Sequence, residues 1–318
     1  MNLAVLAGVV VGVPAITLGY IWLADGLIDA VGTKLGRSLR PWVWLFPALA
    51  LTATFLVVPS VLTAIASFRT PAGGFGIENY DAILQRDDTR QALTNNALWL
   101  VVVVVVVMVL GTLLALGADR VRYERAVTTV LFLPMAVSAT AASVLWQQVY
   151  AFQPRGRPQT GTLNALWTGL GFEPVAWLLE KSTNNWALMV VCIWTWTGLA
   201  LVVILAGVKG LPEDVIEAAR VDGATQGQLL RRIVIPLLRP TLAVVATTLI
   251  VFVLKVFDIV QGLTRGERGT EVLANAMFTE FFQNRREGTA SAIAVVLMLL
   301  VLPMVILAVR RSMGGADR

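Results

Sequence analysis

The amino-acid sequence predicts an all-α integral membrane protein with seven transmembrane helices. Three observations carry that expectation. The first is composition: 57% of the 318 residues are hydrophobic and only 14% charged, with mean hydropathy +0.75, against about 45–50% and about 25% in soluble domains. The second is that the apolar residues gather into stretches about 20 residues long, the length a helix needs to cross a bilayer core. The third is that lysine and arginine concentrate in alternate loops. A soluble globular chain is excluded because no core of this size hides so much apolar surface. Disorder is excluded because disordered chains are polar. One cysteine, Cys192, excludes a disulfide scaffold, and histidine is absent, which removes the usual zinc ligand and general base. No catalytic residue, metal site or nucleic-acid partner is expected.

The seven stretches run from Asn2 to Leu23, Pro41 to Ala66, Leu93 to Gly117, Ala126 to Tyr150, Trp186 to Val208, Thr241 to Gly262 and Ala290 to Val309. The chain opens Met1-Asn2-Leu3 with no basic region before the first stretch, so that stretch reads as a retained span and not a cleaved signal. The third contains the run Val101 to Val107. Valine is a mediocre helix former in water, but in lipid each backbone group needs a partner within the segment, so helix is expected. The loops Asp25–Arg40, Ala118–Arg125, Lys209–Arg239 and Arg310–Arg318 carry 14 basic and 9 acidic residues; the alternate set, Ser67–Ala92, Ala151–Asn185 and Leu263–Thr289, carries 10 of each. The basic-rich set is assigned to the cytoplasm, with the N-terminus outside and the C-terminus inside. Lys255 and Asp258 are the two charges within the spans.

The loop between the fifth and sixth spans departs from ordinary composition. Pro212 suits a helix start, Glu213 and Asp214 suit the positive end of its dipole, and Val215, Ala218, Ala219 and Asp222 fall on a small, flat face. Gly223 supplies a left-handed stop. Thr225 with Gln228 three residues on forms a capping-box pattern for a second helix, in which Arg231 and Arg232 sit late, and Pro236 precedes the next membrane entry. The spacing Glu217-Ala218-Ala219, three residues, Gly223, nine residues, Ile233, one residue, Ile235-Pro236 resembles the EAA loop of binding-protein-dependent ABC importer permeases, with Ile235 where that family usually has leucine. Pro41 to Phe68, Gly76 to Tyr80, Leu131 to Pro134 and Lys255 to Ile259 resemble the sugar-importing branch, and Gly269 to Phe278 resembles its alpha-glucoside permeases.

The resemblance implies residues 1–40 as an added N-terminal span with cytoplasmic linker and residues 41–318 as a six-helix permease core, with the EAA loop at 209–240. It implies a bacterial inner-membrane protein working with a second homologous permease, a cytoplasmic ATPase dimer and an external sugar-binding protein. Glu217, Ala218, Ala219, Asp222, Gly223, Ile233 and Pro236 would couple to the ATPase. ATP and magnesium would be held by that partner, since no Gly-x-x-x-x-Gly-Lys-Ser/Thr phosphate loop is present in this chain.

For the sugar path, aromatic faces with sparse polar groups are wanted, and the expected lining is Thr195, Trp196, Lys255, Asp258 and Gln261. Trp194 and Trp196, two apart, must face different sides. Lys255 and Asp258, three apart, read either as an internal ion pair on one helix or as a polar lining. Related permeases carry polar side chains where this chain has Leu249 and Val253. The loops Ala151–Asn185, with Asn164, Trp167 and Trp177, and Leu263–Thr289, with Phe278, Phe281 and Phe282, read equally as binding-protein platforms or as lids. A seven-span receptor or secondary transporter without an ATPase is the alternative from another class.

Overall fold

A computed structural model describes residues 12, 15, 18–24, 26, 33–70 and 73–314, with the side chains of 33–39 and 307–314 outside the description. The chain forms two compact units, Met1–Thr63 and Ala64–Arg318. In the first, residues 18–24 are helical, followed by α1 (Thr33–Thr52) and a π-helical turn, Ala53–Val57. The Tyr20 hydroxyl donates to the Val43 carbonyl. Most of the expected first span, Asn2 to Leu23, lies outside the described residues.

Helix α2 (Val58–Ser67) leads into the second unit. There follow α3 (Glu78–Gln85), α4 (Asp87–Ala118), α5 (Glu124–Ala136), α6 (Ala139–Val149), α7 (Thr162–Gly169) and α8 (Asn184–Lys209). Next come α9 (Glu213–Val221), α10 (Gln226–Leu229), α11 (Ile235–Leu237), α12 (Arg239–Leu254), α13 (Asp258–Leu263), α14 (Leu273–Phe278) and α15 (Glu287–Gly314). Among the described residues, four helices are long and apolar enough to cross a membrane: Arg40–Ser67, Asp87–Ala118, Asn184–Lys209 and Glu287–Ile306. Two bent pairs raise this to six if each is one span: α5 with α6, bent by 100°, and Gln226–Leu237 with α12, bent by 65°.

The valine run is helical throughout, and its burial shows why composition alone does not describe it. Trp99, Val103, Val107, Gly111 and Ala115 form a buried stripe at four-residue spacing along α4, whereas Val101, Val105 and Val109 are exposed. This stripe packs on Leu188, Val191, Ala200, Leu201 and Ile204 of α8 and with Val245, Leu249 and Val253 of α12 to form the core. A second cluster joins Ile83, Ala92, Leu273, Ala292 and Ile293. Close approach relies on small residues, as is usual between membrane helices. A Cβ on Gly111 would sit 2.5 Å from that of Ala200, and one on Gly198 would sit 2.3 Å from the Leu131 carbonyl oxygen.

Two expected spans differ from the single helices read from the sequence. The fourth breaks past Pro134, at Val137, whose backbone is extended and whose amide turns to the Pro134 carbonyl at 3.2 Å; Ser138 then caps α6 by accepting from the Ala141 amide at 3.2 Å. The sixth begins earlier than Thr241, in the loop's second helix, bends at Leu238 beside Pro240, and breaks again at Lys255–Phe257. No proline or glycine marks that second break.

Gly198→Ala is expected to cost about 1–3 kcal/mol, because its new methyl meets the backbone of Leu131 and Phe132. Thermal unfolding in detergent checks this, with Gly117→Ala, which meets nothing within 4 Å, as the control that loses no stability, since alanine is the better helix former.

Candidate functional site

The helix pair α9–α10 forms much as its sequence requires. Pro212 sits one residue earlier than expected, as the N-cap, and Glu213 and Asp214 occupy the first turn. Asp222 ends the helix and Gly223 takes φ +81°, so the Ala224 amide reaches back to the Ala219 carbonyl at 3.0 Å. Thr225 and Gln228 close the capping box: the Thr225 amide donates to Gln228 Oε1 at 2.9 Å and the Gln228 amide to Thr225 Oγ1 at 3.3 Å. A π-helical turn, Leu230–Val234, carries exposed Arg231 and Arg232 and half-buried Ile233.

The single flat face read from the sequence divides in two. Ile216 and Ala219 turn inward with Leu211, Ala224, Leu229, Leu230 and Val234. Val215, Glu217, Ala218, Val221 and Asp222 face outward, with Val221 87% exposed. Adjacent helical residues point about 100° apart, so once Ile216 and Ala219 pack inward, Ala218 is left outside. Of the two alanines, Ala219 is small because its own bundle requires it. The outer face is an apolar stripe flanked by acids. At the same end Lys209 Nζ donates to both carboxylate oxygens of Glu124 at 2.7 Å, tying the end of α8 to the start of α5.

The expected path residues separate. Among the ion pairs of the described residues, Lys255 and Asp258 do not pair, which corrects the reading of an internal ion pair. The helix breaks between them, leaving Lys255 at the end of α12 and Asp258 in the first turn of α13, where it suits the dipole. Lys255 lines a cavity of about 540 Å³ whose other walls are apolar, among them Phe257, Met277, Phe278, Leu297 and Val301.

Leu249 and Val253 are buried inside the chain's own core. The open side of α12 runs through Val244, Thr248, Phe252 and Lys255. Trp196 lies against Phe252, ring centroids 4.0 Å apart, whereas Trp194 meets Trp146 edge-on at 5.7 Å. The two tryptophans thus diverge as their spacing requires. The Thr195 hydroxyl donates to its own helix, to the Val191 carbonyl at 2.9 Å. Gln261 is half-buried and its Oε1 has no partner.

The opposite end of the bundle holds a polar lattice that sequence reading missed. Asn95 Nδ2 donates to the carbonyls of Gly269 and Glu271, both at 2.8 Å, and Asn95 Oδ1 accepts from Asn185 at 2.9 Å. Asn185 in turn accepts from Trp99 Nε1 at 2.7 Å. Asn96 accepts from the Leu273 amide at 2.9 Å and donates to the Leu254 carbonyl at 3.4 Å, and Asn184 donates to the Arg268 carbonyl at 2.9 Å. The legible signal was a doublet: Asn95-Asn96 and Asn184-Asn185 each stand near the start of a strongly apolar helix.

Within 151–185, Asn164 is fully buried and bonds to Ala151, Val175 and Trp177, which folds that loop about α7. Phe278 packs on Phe257 and Phe282. Glu280 is 3% exposed and accepts from Arg86 Nη1 at 2.8 Å. The Arg86 guanidinium is held well above its usual range, first by its hydrogen bond to Asp88, then, against burial, by Glu280. Burial pushes the Glu271 carboxyl above 4.5, opposed by hydrogen bonds from Asn275 and Val272.

A family model described as binding-protein-dependent transport system inner membrane component matches residues 111–311. The chain is 46% identical over 271 residues to the osmoprotective compounds uptake permease protein GgtC of Synechocystis sp., covering 85% of this chain and 97% of that protein. It is 39% identical over 309 residues to the alpha-glucoside transport system permease protein AglF of Rhizobium meliloti, covering 94% and 92%. Its fold matches a bacterial ABC transporter involved in the import of the acidic polysaccharide alginate, with TM-score 0.75 and 23% identity over 87% of this chain and 99% of that one.

Asn96→Leu should cost about 1–3 kcal/mol by stranding the Leu273 amide, read as a lowered thermal midpoint. Because the folded Glu271 pKa is raised, its contribution is greatest at low pH and is lost as pH rises above 4.5 through the folded value. Glu271→Gln should therefore flatten the decline in thermal stability from pH 4.5 upward and leave the protein at least as stable at neutral pH.

Proposed function

This chain belongs to the family of binding-protein-dependent transport system inner membrane components, and on that premise we propose that it is half of the translocation path of an ATP-driven sugar importer. It is a multi-pass inner-membrane permease. The reading assigns α9 and α10 to the cytoplasm as the coupling element, with Glu217 pairing with a basic group on a partner ATPase dimer and Ala218, Asp222 and Gly223 shaping the dock. Ile233 and Pro236 carry the motion toward α12. The outward stripe Val215–Ala218–Val221 is the observation that carries this reading, because an apolar face 87% exposed at Val221 on a helix closed by the Gly223 turn wants a protein partner. ATP and magnesium belong to that partner.

The remaining parts of the proposal follow from the same premise. A second, homologous permease completes the path, and an external binding protein delivers the sugar. The N-terminus lies outside and the C-terminus in the cytoplasm, with residues 1–40 added to a permease core of 41–318. Relatives named for alpha-glucosides and for osmoprotective compounds support an alpha-glucosidic sugar, such as trehalose or maltose, as cargo. The tilted pair Trp196 and Phe252, with Lys255 beyond, faces the path; Thr195, Asp258 and Gln261 stand beside it. A receptor or secondary transporter has no use for the capped helix pair. Alternating access needs two bundle arrangements within a few kcal/mol, which ATP and the loaded binding protein bias in turn.

Uptake of radiolabelled alpha-glucosides in cells expressing the whole system tests this reading. Glu217→Ala and Val221→Asp should each lower uptake at least about tenfold, which is about 1.4 kcal/mol of lost coupling, with normal amounts of permease in the membrane and weakened co-purification of the ATPase. Unchanged uptake in both variants would refute the coupling role.

A further inference from the structure

From the end of α13 through the first residue of α15 the sequence carries four arginines and four glutamates, Arg265, Arg268, Arg285 and Arg286 against Glu267, Glu271, Glu280 and Glu287. On paper the segment is neutral, and folding unbalances it. Glu280 is buried against Arg86. Glu271 is turned inward, half-buried, where it accepts from the Val272 amide and from Asn275. All four arginines remain exposed, opposed at the surface by Glu267 and Glu287.

The backbone singles out three of these arginines. Arg265, Arg268 and Arg285 hold φ of 57°, 55° and 56°, and among the described residues they are the three non-glycine residues with positive φ. The neighbouring Gly266 and Gly269 occupy the same region at φ 77° and 89°. That region is open to glycine and disfavoured for longer side chains, and strain of this kind gathers at functional positions. Arginine gains nothing there in backbone terms that glycine would not gain more easily. What it adds is a long cation directed from a fixed loop. Beside Arg285 lies a groove of about 720 Å³ lined by Arg69, Arg86, Arg285 and Arg286, with Glu78 and Glu287 among them. Arg69, Arg265 and Arg285 have no carboxylate within 4.0 Å among the described residues.

We propose that this face is the electrostatic docking surface for the soluble binding protein, that the binding protein meets it with an acidic rim, and that the Arg69–Arg285–Arg286 groove takes an acidic loop of it. The proposal rests on the importer reading, which puts this end of the bundle outside. A protein fits better than lipid phosphate because Glu78 and Glu287 interrupt the cations, a mixed pattern that a protein loop complements and a phosphate does not. Charges of this kind act chiefly on the rate of encounter and make it depend on salt.

The test uses the assembled transporter in nanodiscs of neutral lipid with the substrate-loaded binding protein expressed alongside it. The readout is the concentration of binding protein that half-saturates ATP hydrolysis, across a salt series. The triple variant Arg265→Gly, Arg268→Gly, Arg285→Gly removes charge while relaxing the backbone, so misfolding is not a route to its effect. Half-saturation should rise at least about tenfold at low salt and lose its salt dependence, with unstimulated hydrolysis unchanged, and the three Arg→Lys changes should retain most of the affinity. An unchanged half-saturation and salt response in the glycine triple would overturn the proposal. So would an effect seen only in nanodiscs containing anionic lipid, which would reassign the face to headgroups. A wild-type transporter that no loaded binding protein stimulates would remove the importer reading itself, and this proposal with it.

Discussion

A backbone amide or carbonyl without a partner in hydrocarbon costs several kcal/mol, and each break in this chain's apolar helices leaves such groups to be satisfied. After Pro134 the gap is closed locally by the Ser138 cap. At Lys255–Phe257 the Lys255 and Val256 amides turn back to the Phe252 and Val253 carbonyls, and Asn96 donates to the Leu254 carbonyl at 3.4 Å. The same asparagine accepts from the Leu273 amide, while Asn95 holds the carbonyls of Gly269 and Glu271, so the lattice seats the segment that follows the break. Loss of Asn95 would strand the Gly269 and Glu271 carbonyls and release the arginine-bearing segment from its seat on α4.

The lattice and the helix pair α9–α10 stand at opposite ends of α8. Asn184 and Asn185 fix its start, and Lys209, paired with Glu124, its finish. Small residues keep that rod in close contact along its length: Gly111 admits Ala200 of α8, and Gly198 of α8 admits the backbone of Leu131 and Phe132. On the coupling proposed above, a movement at α9 would reach one well-packed helix, because close-packed interiors transmit strain. Coupling over such a distance asks for elements with two discrete arrangements, and the bent pairs α5–α6 and α10–α12 would be its joints.

Charge is divided in the same economical way. Glu280 and Glu271 are used inside the fold, one held by Arg86 and one by hydrogen bonds. Among the described residues Lys255 has no carboxylate within 4.0 Å, and it and Asp258 stand exposed on either side of the helix break. A loop neutral by composition thus presents cations, and a span whose two charges look self-neutralising presents an amine and a carboxylate apart.

The sequence by itself determined the membrane class, most of the spans, the capped helix pair with its left-handed Gly223, and the divergence of Trp194 from Trp196. Each follows from local rules: apolar length, helical period, cap chemistry. Only the tertiary structure decided where helices break, which of Ala218 and Ala219 faces outward, that Leu249 and Val253 belong to the core, and which carboxylates disappear from the surface. The break at Lys255 has no proline or glycine to announce it, and the side chain that bonds the Leu254 carbonyl there, Asn96, sits on α4, about 160 residues earlier in the chain. A periodicity states that a helix has faces, but the direction each face points is settled by neighbours distant in sequence, and so is the charge that remains exposed.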